Sequence, residues 1–150
     1  MSGWNMWTSL CASNVLSADK YSIVRWELTC MEKKSALRVY IGFGENIQNF
    51  SDSECIGDRP HEVSLEVVDG RYPRIWENST STNIHENWRF NCSEKDRFRL
   101  EFHFQTKKCA AFYNDERIGI LTDNLPSTCY LAVSVYNQYT TLETTLFEAQ

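Results

Sequence analysis

A long stretch with a two-residue period constrains what this chain can fold into. Residues 96–136 read DRFRLEFHFQTKKCAAFYNDERIGILTDNLPSTCYLAVSVY, and the first half places an apolar residue at every second position. A period of two puts alternate side chains on opposite faces of a β-strand. The polar residues 105–108 and the pair Asn114–Asp115 are typical of turns. The stretch therefore predicts an antiparallel meander with one buried face, which needs a second sheet to cover it.

Several segments outside this meander carry the same period, namely residues 23–30, 37–43, 63–67 and 142–146. Counting the meander, the pattern predicts about nine or ten short strands and no convincing helix. The predicted fold class is all-β, an antiparallel two-sheet β-sandwich of the jelly-roll type with little or no helix. Residues 1–150 have the length of a single domain. The side chains expected in its core include Trp26, Leu100, Phe102 and Phe112.

The remaining segments are predicted to be irregular or short. Residues 1–12 are expected to form an N-terminal arm, and residues 15–20 a short edge strand followed by a turn. The polar residues 45–60 are predicted to be a long surface loop, as are residues 77–83, which are rich in Ser, Thr and Asn. Asp69–Gly70 is a strong turn signal between strands.

The composition argues against several classes of function. The chain carries a net charge of -5, which argues against nucleic acid as its main partner. No apolar run approaches the roughly 20 residues that span a membrane, and the first residues lack the features of a secretory signal. We therefore expect a cytoplasmic protein with no membrane partner, in which the six cysteines are reduced.

Residue patterns give little support for catalysis or for a metal site. His61, His85 and His103 are not spaced as metal ligands, and the sequence has neither a C-x-x-C nor a G-x-S-x-G motif. The carboxylates of Glu27, Glu66 and Glu101 fall on alternating strand faces and are expected to be mostly solvating charges. We therefore predict a non-enzymatic protein with no catalytic residue, no metal and no cofactor.

Two short clusters of aromatic and arginine residues indicate a binding surface instead. One cluster combines Tyr72, Arg74 and Trp76, and the other combines Trp88 and Arg89. Aromatic residues and arginine are enriched among binding hot spots, and both clusters flank polar loops. Burial of the two tryptophans in the core remains an open alternative, because aromatic residues also dominate cores. We predict that these five residues bind a protein or peptide partner.

The order of the strand motifs resembles the SPRY (B30.2) domain family. Trp26–Thr29 is similar to the W-E-V-E strand of that family, and Ile41–Gly44 matches its I-G-F-G. Leu100–His103 and Ala111–Asn114 resemble its L-D-Y-E strand and the returning S-F-Y-N, although Glu101 stands where the family has Asp.

The end of the chain carries the resemblance further. Leu125–Pro126 followed by Tyr130–Ser134 resembles the family's closing L-P…Y-P-A-V-S segment. The resemblance implies a bent two-sheet sandwich that binds protein or peptide through loops at one end, without a cofactor. Such domains often recognise substrates for ubiquitin ligases, so ligase components are candidate partners. Residues 45–90 match no family motif, and the binding loops of the family vary in this region.

A galectin-like lectin is the alternative from another class. His85–Phe90 echoes the H-x-N-x-R strand with which galectins bind a galactoside. Galectins usually carry Pro where Trp88 stands, and they carry a further tryptophan downstream that this chain lacks. Six residues are a short match, so the interaction module is the favoured hypothesis.

Overall fold

The computed structural model describes residues 7–33, 36–45, 55–84, 88–136 and 140–149. These residues contain no helix, and therefore none long and apolar enough to cross a membrane. They form eleven β-strands: β1 (Trp7–Ser17), β2 (Ile23–Lys33), β3 (Arg38–Gly44), β4 (Glu62–Val68), β5 (Arg74–Glu77), β6 (Thr80–Asn83), β7 (Arg97–His103), β8 (Lys108–Tyr113), β9 (Glu116–Thr122), β10 (Thr128–Tyr136) and β11 (Thr140–Ala149).

The strands form two antiparallel sheets. One sheet has six strands in the order β1-β10-β3-β4-β5-β6, and the other has five in the order β11-β2-β7-β8-β9. The predicted meander supplies β7, β8 and β9 as consecutive hairpins of the five-stranded sheet, and its last strand, β10, joins the six-stranded sheet. The turn between β8 and β9 uses Asn114 and Asp115 with φ of 49° and 71°, which these residue types tolerate. The prediction of an all-β two-sheet sandwich is confirmed.

The core lies between the two sheets. Trp26 of β2 and Leu100 of β7 are Cα partners, and both side chains are buried. Phe43 of β3 meets Phe102 of β7 edge to face, with ring centroids 5.3 Å apart, so this aromatic pair joins the two sheets. The core positions predicted for Trp26, Leu100 and Phe102 are confirmed.

Phe112 does not belong to this core, and the prediction that placed it there is wrong. Its Cα partner on β7 is Arg99, which lies on the outer face of the five-stranded sheet. Directly opposed residues in a sheet share a face, so Phe112 also points outward. The guanidinium carbon of Arg99 lies 4.4 Å from the centroid of the half-buried ring. The apolar run of β8 concealed which of its residues faces the core.

The outer face of the six-stranded sheet is covered near its centre by residues 55–57. These three residues are buried, and the amide of Ile56 donates to the hydroxyl of Ser134 at 2.8 Å. A second apolar cluster forms here, consisting of Tyr40, Cys55, Ile56, Ala132 and Trp76. The predicted surface loop is therefore wrong for residues 55–57, and residues 46–54 lie outside the described residues.

Two carboxylates that were expected to be solvated are buried, one in each sheet. Glu66 is buried and accepts a hydrogen bond from the Tyr40 hydroxyl at 2.7 Å. Glu101 is buried in the other sheet, where Arg25 lies 2.9 Å and His103 lies 2.8 Å from its carboxylate oxygens. The prediction that Glu66 and Glu101 are solvating charges is wrong, because both carboxylates are buried and contact polar or charged side chains of their own sheets.

Two segments predicted to be irregular form strands. Residues 7–12 lie in β1, which pairs with β10 from Trp7 opposite Tyr136, so only residues 1–6 of the predicted arm lie outside the described residues. The edge strand predicted at residues 15–17 is confirmed as the end of β1. Residues 80–83 form β6, the edge of the six-stranded sheet, because a left-handed turn at Asn78 and Ser79 folds them back on β5.

Candidate functional site

The turn after β4 builds one side of the candidate site. Gly70 adopts φ of 82°, a left-handed conformation that suits glycine, so the turn predicted at Asp69–Gly70 is confirmed. The Gly70 amide donates to the Phe90 carbonyl at 2.8 Å, and the Phe90 amide donates to the Arg71 carbonyl at 2.9 Å. These two backbone hydrogen bonds hold residues 70–71 beside residues 89–90, although the two segments are distant in the sequence.

An ion pair between Lys33 and Asp69 stabilises the turn at Asp69–Gly70. The Lys33 ammonium lies 2.8 Å from the Asp69 carboxylate, which also accepts a hydrogen bond from the Cys92 amide at 3.0 Å. Burial raises the pKa of Asp69, but the hydrogen bonds from Lys33 and the Cys92 amide outweigh it, and the net pKa lies below the ordinary value. Asp69 is therefore ionised at neutral pH and anchors the segment that carries the site.

The hairpin of β5 and β6 builds the other side. Arg74 of β5 lies directly opposite Asn83 of β6, and the amide of Ile84 donates to the carbonyl of Pro73 at 3.2 Å. β6 is the edge strand of the described sheet and β5 lies next to it, so both side chains stand near the border of the sandwich. The hairpin therefore faces the segment of residues 70–72 across a depression.

We call this depression the arginine groove. Its volume is about 380 Å³, and it is lined by Gly70, Arg71, Tyr72, Arg74, Asn83 and Arg89. Three of the five residues predicted to bind a partner, Tyr72, Arg74 and Arg89, thus line one groove. The two sequence clusters, which lie more than ten residues apart, come together here because of the hydrogen bonds of Phe90 described above.

Arg89 stacks on Tyr72 inside the groove. Its guanidinium carbon lies 4.8 Å from the centroid of the Tyr72 ring, and Nη2 donates a long hydrogen bond of 3.4 Å to the phenolic oxygen. Such a cation–π contact restricts the rotamers of a long side chain. The guanidinium is consequently presented to the groove in a partly ordered orientation.

Arg74 contacts side chains of the six-stranded sheet. Its Nη2 donates to the Ser81 hydroxyl at 2.7 Å, and Nη1 lies 3.7 Å from the Glu66 carboxylate. Its guanidinium carbon is also 5.6 Å from the centroid of Trp76. Arg74 therefore forms one side of the groove, and Glu66 balances the charge of its guanidinium.

Trp76 lies next to the groove without lining it. Its indole Nε1 donates to Glu66 at 3.1 Å, and its ring is stacked near Tyr40 with centroids 6.4 Å apart. Burial, with the hydrogen bond to Glu66, raises the pKa of Tyr40, so the phenol remains a donor at neutral pH. The half-buried Trp76 belongs to the second apolar cluster, not to the core between the sheets.

Trp88 is placed differently from the other four predicted residues. Its ring stacks on Tyr113 at 5.8 Å and meets Phe90 edge to face at 5.1 Å. It is half-buried and packs against the main core. The structure therefore does not bring Trp88 to the groove, and its position matches the alternative in which this tryptophan contributes to packing.

The sequence interpretation missed three residues that line the groove, Gly70, Arg71 and Asn83. Arg71 directly follows the turn at Asp69–Gly70, so its exposure could have been inferred from that signal. Asn83 gave no such signal, because its place opposite Arg74 depends on a β6 strand whose composition is typical of a loop.

The described residues form a close histidine–carboxylate pair but no cluster of metal ligands. No group of three or more His, Cys, Asp or Glu among them is arranged to hold a metal ion. The His103–Glu101 pair lies on the outer face of the five-stranded sheet, where burial raises the pKa of Glu101 but hydrogen bonds from Arg25 and His103 bring it below its ordinary value. A carboxylate held ionised in this way suits an ion pair better than proton transfer.

Solved structures that share this architecture include a human SPRY domain, which aligns with a TM-score of 0.70 over 93% of this chain and 84% of its own at 15% identity. The fold is that of a SPRY domain. The SPRY domain of human HERC1 gives 0.60 at 9% identity over 97% of this chain and 84% of its own. The PSpry domain of TRIM65 gives 0.62 at 11% identity over 91% of this chain and 70% of its own. No protein-family model and no curated protein matches the sequence.

The motifs that resemble SPRY domains lie in the body of this SPRY fold. Trp26–Thr29 falls in β2, Ile41–Gly44 in β3 and Leu100–His103 in β7. The arginine groove, by contrast, is formed within and beside residues 45–90, which match no SPRY motif. The motifs on which the resemblance rests thus lie in the strands of the sandwich, and the residues that line the groove belong to none of them.

The residues of the lectin alternative fall partly outside the described chain. His85 and Asn87 are not among the described residues. Arg89, the third member of the H-x-N-x-R echo, lies in a segment without strand structure, where it stacks on Tyr72. Among the described residues, the echo of the galectin motif therefore does not fall on a strand.

Proposed function

We propose that this domain is a non-enzymatic protein-interaction module that binds an extended peptide or an exposed loop of a partner protein. The observation that carries the proposal is the convergence of Tyr72, Arg74 and Arg89, from two separate sequence clusters, on one groove at the border of the sandwich. Aromatic and arginine side chains contribute large contact areas and planar donors, which is why they dominate hot spots of protein interfaces.

The edge strand β6 supports the choice of an extended ligand. Among the described strands β6 pairs with β5 alone, and three of its four residues are exposed. An extended peptide can add to such an edge by backbone hydrogen bonds while its side chains enter neighbouring pockets. A peptide lying along β6 would pass Asn83, which lines the groove.

The SPRY fold extends the proposal to partners. The resemblance implies recognition of a substrate for a ubiquitin ligase, so we include cullin or RING components among the proposed partners and expect no cofactor. A cytoplasmic location belongs to the same proposal. The five cysteines with described side chains are buried free thiols, an arrangement typical of a reducing compartment.

The test is a quantitative pull-down from cell lysate, with bound proteins identified by mass spectrometry. Arg74 and Trp76 are poor test positions because both contact the buried Glu66. We would compare wild type with the double variant Tyr72→Ala/Arg89→Gln, and use Arg117→Gln, an exposed arginine on the other sheet, as the matched control.

The proposal expects at least one partner that wild type and Arg117→Gln retain and the folded double variant loses, with a loss of about 2 kcal/mol or more when the affinity is measured with the purified partner. Cullin or RING components among those proteins would support the ligase role. Identical recovery by all three proteins would contradict the assignment of the groove. Release of the bound proteins by lactose would favour the lectin alternative.

A further inference from the structure

The charged side chains that line the arginine groove are all positive among the described residues. Three arginines line it, and no carboxylate does so among the described residues. The protein as a whole has a net charge of -5, with 20 acidic and 15 basic side chains. An even distribution of surface charges would not place three positive side chains together on a protein of negative net charge. The cluster creates a local positive potential.

The three arginines are not equivalent. Arg74 is 3.7 Å from Glu66 and hydrogen-bonded to Ser81, so its charge is already partly balanced. Arg71 and Arg89 are exposed, and the structure gives neither of them a carboxylate partner among the described residues. The guanidinium groups of Arg71 and Arg89 are thus the ones with donors available to a ligand.

Their placement favours one small anionic group. The hydrogen bond from the Phe90 amide to the Arg71 carbonyl keeps the backbones of both arginines close, and the Tyr72 ring orders the guanidinium of Arg89. A planar guanidinium donates two parallel hydrogen bonds to a carboxylate or to a phosphate. Ordering before binding reduces the conformational entropy that the ligand must overcome.

We propose that the arginine groove selects an acidic side chain of the bound peptide, which Arg71 and Arg89 hold between them. This inference rests on the proposed function, because it names the chemistry of the peptide that the module recognises. The shared ligand chemistry is an anionic oxygen pair, supplied by Asp or Glu or by a phosphorylated side chain. The net negative charge of the domain disfavours a long polyanion such as nucleic acid, whereas a single groove accommodates one such group.

The first experiment is a selection from a phage-displayed library of random peptides against the purified full chain. Wild type is compared with Arg71→Gln/Arg89→Gln, with Tyr72→Ala, and with the control Arg117→Gln. Thermal unfolding of each protein verifies that the variants are folded. We expect peptides enriched in Asp or Glu from wild type and from Arg117→Gln, and no acidic enrichment from the double arginine variant.

The second experiment uses the strongest selected peptide in synthetic form. Replacing its acidic residue by the matching amide is expected to weaken binding by about tenfold or more, and added salt is expected to weaken the acidic peptide alone. A version with phosphoserine at that position separates the two sources of the anion, since the tighter binder identifies the preferred group.

The outcomes separate this inference from the proposed function. Selected peptides without acidic enrichment, whose capture Tyr72→Ala nevertheless abolishes, would overturn the inference and leave peptide binding at the groove intact. An amide substitution without effect on affinity would do the same. A selection that enriches no peptide at all would contradict the proposed function together with the inference.

Discussion

The indole of Trp76 donates a hydrogen bond to the buried carboxylate of Glu66, with 3.1 Å between Nε1 and Oε1. The same oxygen accepts the hydroxyl of Tyr40 at 2.7 Å, while Oε2 of Glu66 has no hydrogen-bond partner among the described atoms. A buried carboxylate with so few donors is sensitive to the loss of any one of them. Trp76 therefore has a structural role beside the groove that its aromatic character alone did not indicate.

Trp76→Phe should lower the free energy of unfolding by about 1–3 kcal/mol, because it removes one of two neutral donors to Glu66 and keeps most of the ring. Urea unfolding measures this loss. In a Glu66→Gln background the same substitution should cost at most about half as much, since a neutral amide is less costly to leave unpaired. An equal cost in both backgrounds would show that packing, not the hydrogen bond, is what Trp76 contributes.

Gly42 is predicted to tolerate no side chain. A Cβ at this position would lie 2.1 Å from the Val63 carbonyl oxygen and 2.7 Å from the Cα of Ser64, both backbone atoms of the paired strand. Gly42→Ala should therefore destabilise the protein by about 3 kcal/mol or more, since the central strands must separate.

Gly70→Ala is the matched control for that substitution. Gly70 has φ of 82°, and no atom lies within 4 Å of a Cβ built at this position. The substitution therefore measures the cost of placing alanine in a left-handed backbone conformation without a steric clash. We expect a loss of about 1 kcal/mol in urea unfolding. A smaller loss at Gly42 than at Gly70 would disprove the close approach of β3 and β4.

The period-two pattern predicted most of the fold because it reports directly which face of a strand is buried. Trp26, Leu100 and Phe102 alternate with charged residues, and all three lie in the core. The pattern did not predict the orientation of Phe112, because residues 109–113 are all apolar and do not alternate with polar residues. The pattern also did not predict β6, because its Thr, Ser and Asn residues are typical of loops. Its pairing with β5 is set by the turn at Asn78 and Ser79.

Residue type predicted part of the candidate site. Residue type alone identified Tyr72, Arg74 and Arg89 as binding candidates, and all three line the groove. Residue type could not separate them from Trp88, whose ring packs on Tyr113, since an exposed anchor and a core aromatic have the same composition. Their convergence depends on the Gly70–Phe90 hydrogen bond, a long-range contact that no local pattern specifies.

The Lys33–Asp69 ion pair predicts a dependence of stability on pH. Asp69 has a pKa lowered below its ordinary value, so its contribution is fully present above the unfolded-state value of about 4 and is lost as the pH falls through the lower folded-state value. At neutral pH, Asp69→Asn should cost about 1–2 kcal/mol through the lost charge-assisted hydrogen bonds.

The difference between wild type and Asp69→Asn should shrink when urea unfolding is repeated at progressively lower pH below that value. The exposed Asp123 supplies the control, and Asp123→Asn should change stability by no more than about 0.5 kcal/mol at neutral pH. A gap between wild type and Asp69→Asn that widens on acidification would mean that the folded-state pKa of Asp69 is raised rather than lowered.

Phe102 and Phe112 form a matched pair for the two faces of the five-stranded sheet. Phe102 is fully buried against Phe43 in the core, whereas Phe112, on the adjacent strand, is half-buried under the guanidinium of Arg99. Phe102→Ala should lower the free energy of unfolding by about 3–5 kcal/mol, because it removes a buried ring and leaves a cavity. Phe112→Ala should cost about 1 kcal/mol, since the outer face loses partial burial and one cation–π contact without a cavity. Equal losses in urea unfolding would show that the outer face is covered by something more than Arg99 and would contradict the assignment of Phe112 to it.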